Sequence, residues 1–203
     1  MPDRYKNKYR IASARLPNWD YRWDAAYFVT ICTKNRELFF GEISDQTMHL
    51  SETGKIAEQF WFDIPLHFPT TVLHPFVVMP NHVHGVVVID NHRNNADTFQ
   101  CNMSAGDGPP WNAGDDDKND NDYLDNEKNK FMSSISPKPG SISTIIRSYK
   151  SAVSKHVHKN HPDFGWQARF HDHIIRNEPS FIRICDYIIN NPKNWTDDTF
   201  FRQ

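Results

Sequence analysis

Apolar residues recur along the chain with two different periods, and the switches between them mark out the elements. Residues 26–33 (AYFVTICT) are β-branched and aromatic and predict a strand. A charged connection follows. From Ser51 the period lengthens: Ile56, Phe60, Trp61 and Ile64 recur at helical spacing while Ser51, Lys55 and Glu58 fall on the polar side, which predicts an amphipathic helix ending near Pro65. Two apolar runs, 72–79 (VLHPFVVM) and 82–89 (HVHGVVVI), are separated only by Pro80 and Asn81, the spacing of a β-hairpin. Residues 141–158 return to the helical period, with Ile142, Ile145, Ile146, Tyr149, Ala152 and Val153 on one face and Ser141 or Ser143 as the cap. A fourth strand is expected over 166–175, and a last helix over 177–191 with Pro179 in its first turn and Pro192 as its stop. The order βαββαβ with an appended helix predicts an α+β, ferredoxin-like (split βαβ) antiparallel sheet, helices on one face and the C-terminal helix added to it.

The chain has 203 residues, 38% of them apolar, enough for one domain and short for two. No run approaches the roughly 18 apolar residues that a bilayer crossing needs, so no membrane association is expected. The start, MPDRYKNKYR, lacks an apolar stretch behind its charges, so a secretion signal is not expected and a cytoplasmic protein is. Cys32, Cys101 and Cys185 lie far apart with no CxxC spacing, which argues against a disulfide framework and a thiolate zinc site and leaves structural thiols.

A formal charge of −2 argues at first against a polyanionic partner. The average hides a segregation. Residues 94–136 carry nine acidic and three basic residues, a net of −6, so the remainder carries +4. That segment is rich in Asn, Asp, Gly and Ser and has almost no aliphatic periodicity, which predicts a disordered acidic insertion in a single domain spanning 1–203.

Three His-x-His pairs differ in what their local geometry permits. In a strand, residues two apart share a face, so His82 and His84 can turn both imidazoles to one ion while Val83 enters the core. His156 and His158, on a helix, point about 200° apart and are expected to be solvated. His171 and His173 are intermediate, because Asp172 between them is a poor core residue. A third ligand must come from elsewhere in the fold, and Asn191 is a candidate: it follows Tyr187 by four residues, which places amide and phenol on one helix face. A phenol beside a hard cation can attack a phosphate that the cation polarises. Spacing alone leaves the alternative open that Tyr187, beside Ile184 and Ile188, is a core aromatic and that Asn190, Asn191 and Pro192 only end the helix.

The blocks 27–43 (YFVTICTKNRELFFGEI), 77–87 (VVMPNHVHGVV), 166–178 (WQARFHDHIIRNE) and 186–192 (DYIINNP), in this order, resemble the single-tyrosine HUH transposases, in particular the branch of REP-associated tyrosine transposases. The resemblance runs from about Tyr27 to Pro192. It implies a ferredoxin-like fold with His82 and His84 as metal ligands, Asn191 as the polar third ligand, and Tyr187 as the nucleophile, with Mg²⁺ or Mn²⁺ as the cofactor. The reaction it implies is in-line attack on single-stranded or hairpin DNA, leaving a 3′-hydroxyl and a 5′-phosphotyrosyl enzyme that a second 3′-hydroxyl can reverse. His173 is an auxiliary base or substrate contact in this reading. Arg147, Lys150, Lys155, Arg169, Arg176 and Arg183 would hold the backbone, with Trp166 and Phe170 stacking bases. Such relatives act as dimers or monomers, so a homodimer stays open, and the acidic insertion is longer than the family pattern. The rival readings are a non-catalytic ferredoxin-like nucleic-acid-binding module and a decayed transposase that still binds hairpins.

Overall fold

The computed structural model describes residues 19–92 and 138–201; the acidic segment read as disordered lies outside them. Among the described residues, six strands and four α-helices follow in order: β1 (Ala25–Cys32), β2 (Gly41–Ser44), β3 (Thr47–Leu50), α1 (Glu52–Phe62), α2 (Ile64–His67), β4 (Thr71–Met79), β5 (His82–Ile89), α3 (Ile142–Val157), β6 (His171–Ile175) and α4 (Glu178–Asn190). The main sheet is antiparallel with order β4-β5-β1-β6, the expected ferredoxin-like arrangement.

Three of these helices, α1, α3 and α4, start where a side chain satisfies a free amide. Ser51 accepts from Gly54 N–H ahead of α1, Ser141 from Thr144 N–H ahead of α3, and Asn177 from Ser180 N–H ahead of α4. Pro65 does not simply end α1. It sits in the first turn of α2, where its missing N–H costs nothing.

The register divides the sheet into two faces. Val83, Val87 and Ile89 of β5, with Tyr27, Val29 and Ile31 of β1, pack under α1 and α3 against Trp61, Ile142, Ile145, Ile146, Tyr149 and Val153. Gly85 belongs to this face because Trp61 occupies the space above it: a Cβ there would lie 2.3 Å from the indole ring. The opposite face carries His82, His84, Val86 and Val88, and α4 covers its apolar part through Phe181, Ile184 and Ile188.

Three expectations are corrected. The stretch read as a charged connection contains the β2–β3 hairpin, whose turn places Asp45 and Gln46 at φ 50° and 61°; that is the left-handed geometry of a two-residue turn, without the Asn-Gly pair that usually announces it. The fourth strand is shorter than 166–175, because Trp166 pairs with Thr33 as an isolated bridge, two residues out of the register that joins His171–Ile175 to β1. Pro192 ends the α-helical ladder, but the chain goes on turning as a 3₁₀ segment, Asn191–Asp197. No described helix is long and apolar enough to cross a membrane.

Candidate active site

The tight turn at Pro80 and Asn81 starts β5 with His82, and alternation brings His84 to the same face. Both rings are fully buried, and their Nε2 atoms are 3.0 Å apart. Each ring is held at its other nitrogen: His82 Nδ1 lies 2.8 Å from Asn81 Oδ1, and His84 Nδ1 lies 2.8 Å from Thr30 Oγ1. Phe28 stacks on His84 at 5.3 Å, and Phe200 covers His82 at 4.6 Å.

Tyr187 lies on α4 with its hydroxyl 3.3 Å from His84 Nε2, and its ring is 44% exposed, so the phenol reaches both the histidines and the outside. These groups belong to one chain. Asn191 directly follows α4 and is buried. Its Nδ2 donates to Asp198 Oδ2 at 3.0 Å, whereas its Oδ1 is buried with no hydrogen-bond partner. A buried carbonyl oxygen without a donor is costly, and the indole Nε1 of Trp61 in the packed core is the other unpartnered buried side-chain atom among the described residues. Asp198 completes the cluster, since one ligand atom each from His82, His84 and Asp198 lies within 4.8 Å of the others. Its Oδ2 also accepts from the Tyr187 hydroxyl at 3.5 Å, and its Oδ1 accepts from the Phe200 amide at 2.7 Å.

The electrostatics suit a cation. Burial, then the neighbouring His84 and Arg36, holds His82 well below the usual imidazole range. Burial brings His84 down to about 4, with the Asp198 charge opposing the shift and His171 adding to it. Both rings are therefore neutral at pH 7, the form in which an imidazole can bind a metal. Burial, and next the Asp198 charge, raises Tyr187 above its ordinary value, so the protein alone favours the neutral phenol.

The other expected residues are dispersed. His173 is exposed on β6, opposite Phe28 of β1, and shares the histidine face with His171. Asp172 points to the other face, so this His-x-His does alternate. Arg147, Lys150 and Lys155 ride on α3, across the sheet from the histidines, and Lys150 Nζ donates to Gln167 O at 2.5 Å. Arg169 and Arg176 flank β6, and Arg183 is exposed on α4. Trp166 packs against Phe40, Tyr149 and Phe164, and its indole N–H donates to Lys150 O at 3.1 Å. Phe170 is partly buried against the same core. His156 and His158 are not simply solvated: their rings contact the carbonyls of Ala152 at 3.0 Å and Phe164 at 2.8 Å.

Sequence reasoning missed Asp198, Asn81 and Thr30. Asp198 lies seven residues beyond Asn191 and past a proline read as a stop, so no helical spacing pointed to it. Asn81 carries a signal, a polar residue directly before the first histidine, yet the local pattern accounts for it as part of the turn alone.

No protein-family model matches the chain. Among solved structures, a REP-associated tyrosine transposase bound to a REP hairpin is similar over 91% of this chain and 74% of its own, with a TM-score of 0.52 and 14% identity. At that identity the likeness is one of fold: the four-stranded antiparallel sheet and its helices form a transposase-like fold. An uncharacterized protein of Haemophilus influenzae is 33% identical over 193 residues, 93% of this chain and 92% of that one. The chain belongs to the same family as this Haemophilus influenzae protein, and its fold is transposase-like.

Proposed function

We propose that the chain cleaves and rejoins single-stranded DNA through Tyr187, acting on hairpin or palindromic DNA. The observation that carries this reading is a partly exposed phenol 3.3 Å from a buried histidine pair, with Asp198 beside both. The solved transposase with a similar fold is bound to a REP hairpin, which supports the choice of substrate.

His82, His84, Asp198 and the unpartnered Oδ1 of Asn191 are the groups that would hold a divalent cation, Mg²⁺ or Mn²⁺; two neutral imidazoles with carboxylate and amide oxygens fit such an ion. When bound, the cation supplies positive charge to the phosphate oxygens and to the phenol oxygen. Tyr187 Oη attacks the phosphorus and the P–O3′ bond breaks. The phenol proton passes to Asp198, its hydrogen-bond partner, and the departing 3′ oxygen takes a proton from solvent. The products are a 3′-hydroxyl and a 5′-phosphotyrosyl enzyme. Attack by a second 3′-hydroxyl returns the tyrosine and joins the strands without ATP, because the phosphodiester energy is kept in the phosphotyrosyl bond. A cytoplasmic location and a site complete within one chain accompany this reading.

The test is incubation with single-stranded hairpins taken from the gene's own flanks, with Mn²⁺ or Mg²⁺, followed by denaturing electrophoresis. A covalent protein–DNA band is expected, absent with EDTA and with Tyr187→Phe. Hairpin binding with no adduct under any cation would instead establish a binding module.

A further inference from the structure

Asn81 is fully buried, and both ends of its amide are engaged. Its Nδ2 lies 2.9 Å from the Phe200 carbonyl and 3.3 Å from the Arg36 carbonyl. Carbonyls only accept, so the NH₂ group must face them and Oδ1 must face His82 Nδ1 at 2.8 Å. An amide oxygen also only accepts, so His82 Nδ1 must carry the proton and His82 Nε2 must present a lone pair. Thr30 imposes no such choice on His84, because a hydroxyl can donate or accept.

The two Nε2 atoms are 3.0 Å apart, too close for two lone pairs with nothing between them. With His82 fixed, either a cation or a proton from His84 has to occupy that gap.

We infer that the two histidines are inequivalent: Asn81 is a positioning residue that locks His82 in its cation-ready tautomer, whereas His84 exchanges tautomers when a cation enters. Before metal, His84 carries its proton on Nε2, donates it to His82, and accepts from Thr30 at Nδ1. With metal, the proton sits on Nδ1 and is donated to Thr30 Oγ1. One proton leaves Nε2 and one is gained at Nδ1, so no net proton is released from the pair. The second half of this inference rests on the metal-binding reading above; the first half concerns the metal-free protein alone.

The experiment is ¹H–¹⁵N long-range NMR of the histidine rings at pH 7.5 in the metal-free full chain, then with saturating ZnCl₂ as a diamagnetic probe. The expected result is a protonated Nδ1 on His82 in both states, and a proton on His84 that moves from Nε2 to Nδ1 with Zn²⁺. A protonated Nε2 on His82 without metal overturns the role of Asn81. Ring signals of both histidines unmoved by Zn²⁺ would bring down the metal reading and the His84 exchange together, leaving the metal-free assignment of His82 standing by itself.

Two variants separate positioning from mere structure. Asn81→Asp and Asn81→Ala both lose the bonds to the Arg36 and Phe200 carbonyls, but only the carboxylate still accepts from His82 Nδ1. Asn81→Asp should keep the His82 tautomer and Asn81→Ala should lose it, with Zn²⁺ affinity roughly 10–100-fold weaker in the alanine variant. Equal behaviour of the two would show that Asn81 only holds the turn, and the wild-type spectrum decides the first point even where a variant fails to fold.

Discussion

One strand, β5, builds two regions of opposite character. Val83, Gly85 and Val87 face a dry layer of aromatic and aliphatic side chains under α1 and α3. His82 and His84, their immediate neighbours in sequence, face a polar pocket closed by Tyr187, Asn191, Asp198 and Phe200. The first region holds by close packing, in which a methyl group too many or too few is felt. The packed face carries one buried polar atom that opposes folding, Trp61 Nε1, whereas the second concentrates them: neutral imidazoles with their nitrogens face to face and an amide oxygen without a donor. The contrast is that of a stabilising face and a functional face sharing one backbone, so substitutions should separate them cleanly.

The largest separation is expected at Tyr187. Tyr187→Phe should lower strand cleavage at least about 1000-fold, read as loss of the covalent band, while changing stability by less than about 0.5 kcal/mol, because the residue is partly exposed and phenylalanine keeps the ring contacts with His84 and Phe28. Trp61→Ala tests the other side. Trp61 is fully buried, stacks on Phe76 at 4.5 Å and meets Tyr149 edge-on at 5.5 Å. Removing it should cost about 3–5 kcal/mol in denaturant unfolding. Cleavage by the fraction that stays folded should be retained. Should Trp61→Ala abolish cleavage in fully folded protein, the two faces would not be independent.

The same division explains what could be read from the sequence. The packed face was legible because burial imposes a period: Ile142, Ile145, Ile146, Tyr149 and Val153 recur at helical spacing, and all five are buried against the sheet. His82, His84, Tyr187 and Asn191 were legible as two local spacings, i+2 on a strand and i+4 at a helix end. Asp198 was not, since its place depends on a 3₁₀ segment that turns the chain back over the histidines after Pro192. The role of Asn81 depends on carbonyls at positions 36 and 200, contacts no local pattern encodes. The β2–β3 hairpin stayed hidden because Asp45 and Gln46 adopt a left-handed turn without glycine.

Acid should weaken the functional face before the packed one. His84 titrates near 4 when folded, against 6.5 in an ordinary setting, and His82 is shifted in the same direction. The unfolded chain therefore binds these protons first. Their contribution to stability is complete above about pH 6.5 and is lost as the pH falls toward about 4, by up to about 3 kcal/mol for His84. Metal-free unfolding free energies measured from pH 7 to pH 4.5 should fall along this slope, and a His82→Gln, His84→Gln double variant should show a flatter one. An unchanged slope in the double variant would place the acid sensitivity elsewhere.

The smallest expected effect is the most discriminating, because it falls on the strand between the two faces. Gly85 is one residue from His84, yet a Cβ at 85 projects to the other side and would meet the Trp61 ring at 2.3 Å. Since real Cβ atoms do not approach so closely, Gly85→Ala must displace either the indole or the strand. Displacement of the indole alone costs an overpacking penalty of about 1–3 kcal/mol and leaves the histidine Nε2 atoms where they are. Displacement of β5 would carry His84 with it and weaken cleavage as well. The expected result is a lowered unfolding midpoint with cleavage within about twofold of wild type at 20 °C, because α1 packs on the sheet from one side and yields more readily than a strand paired on both edges.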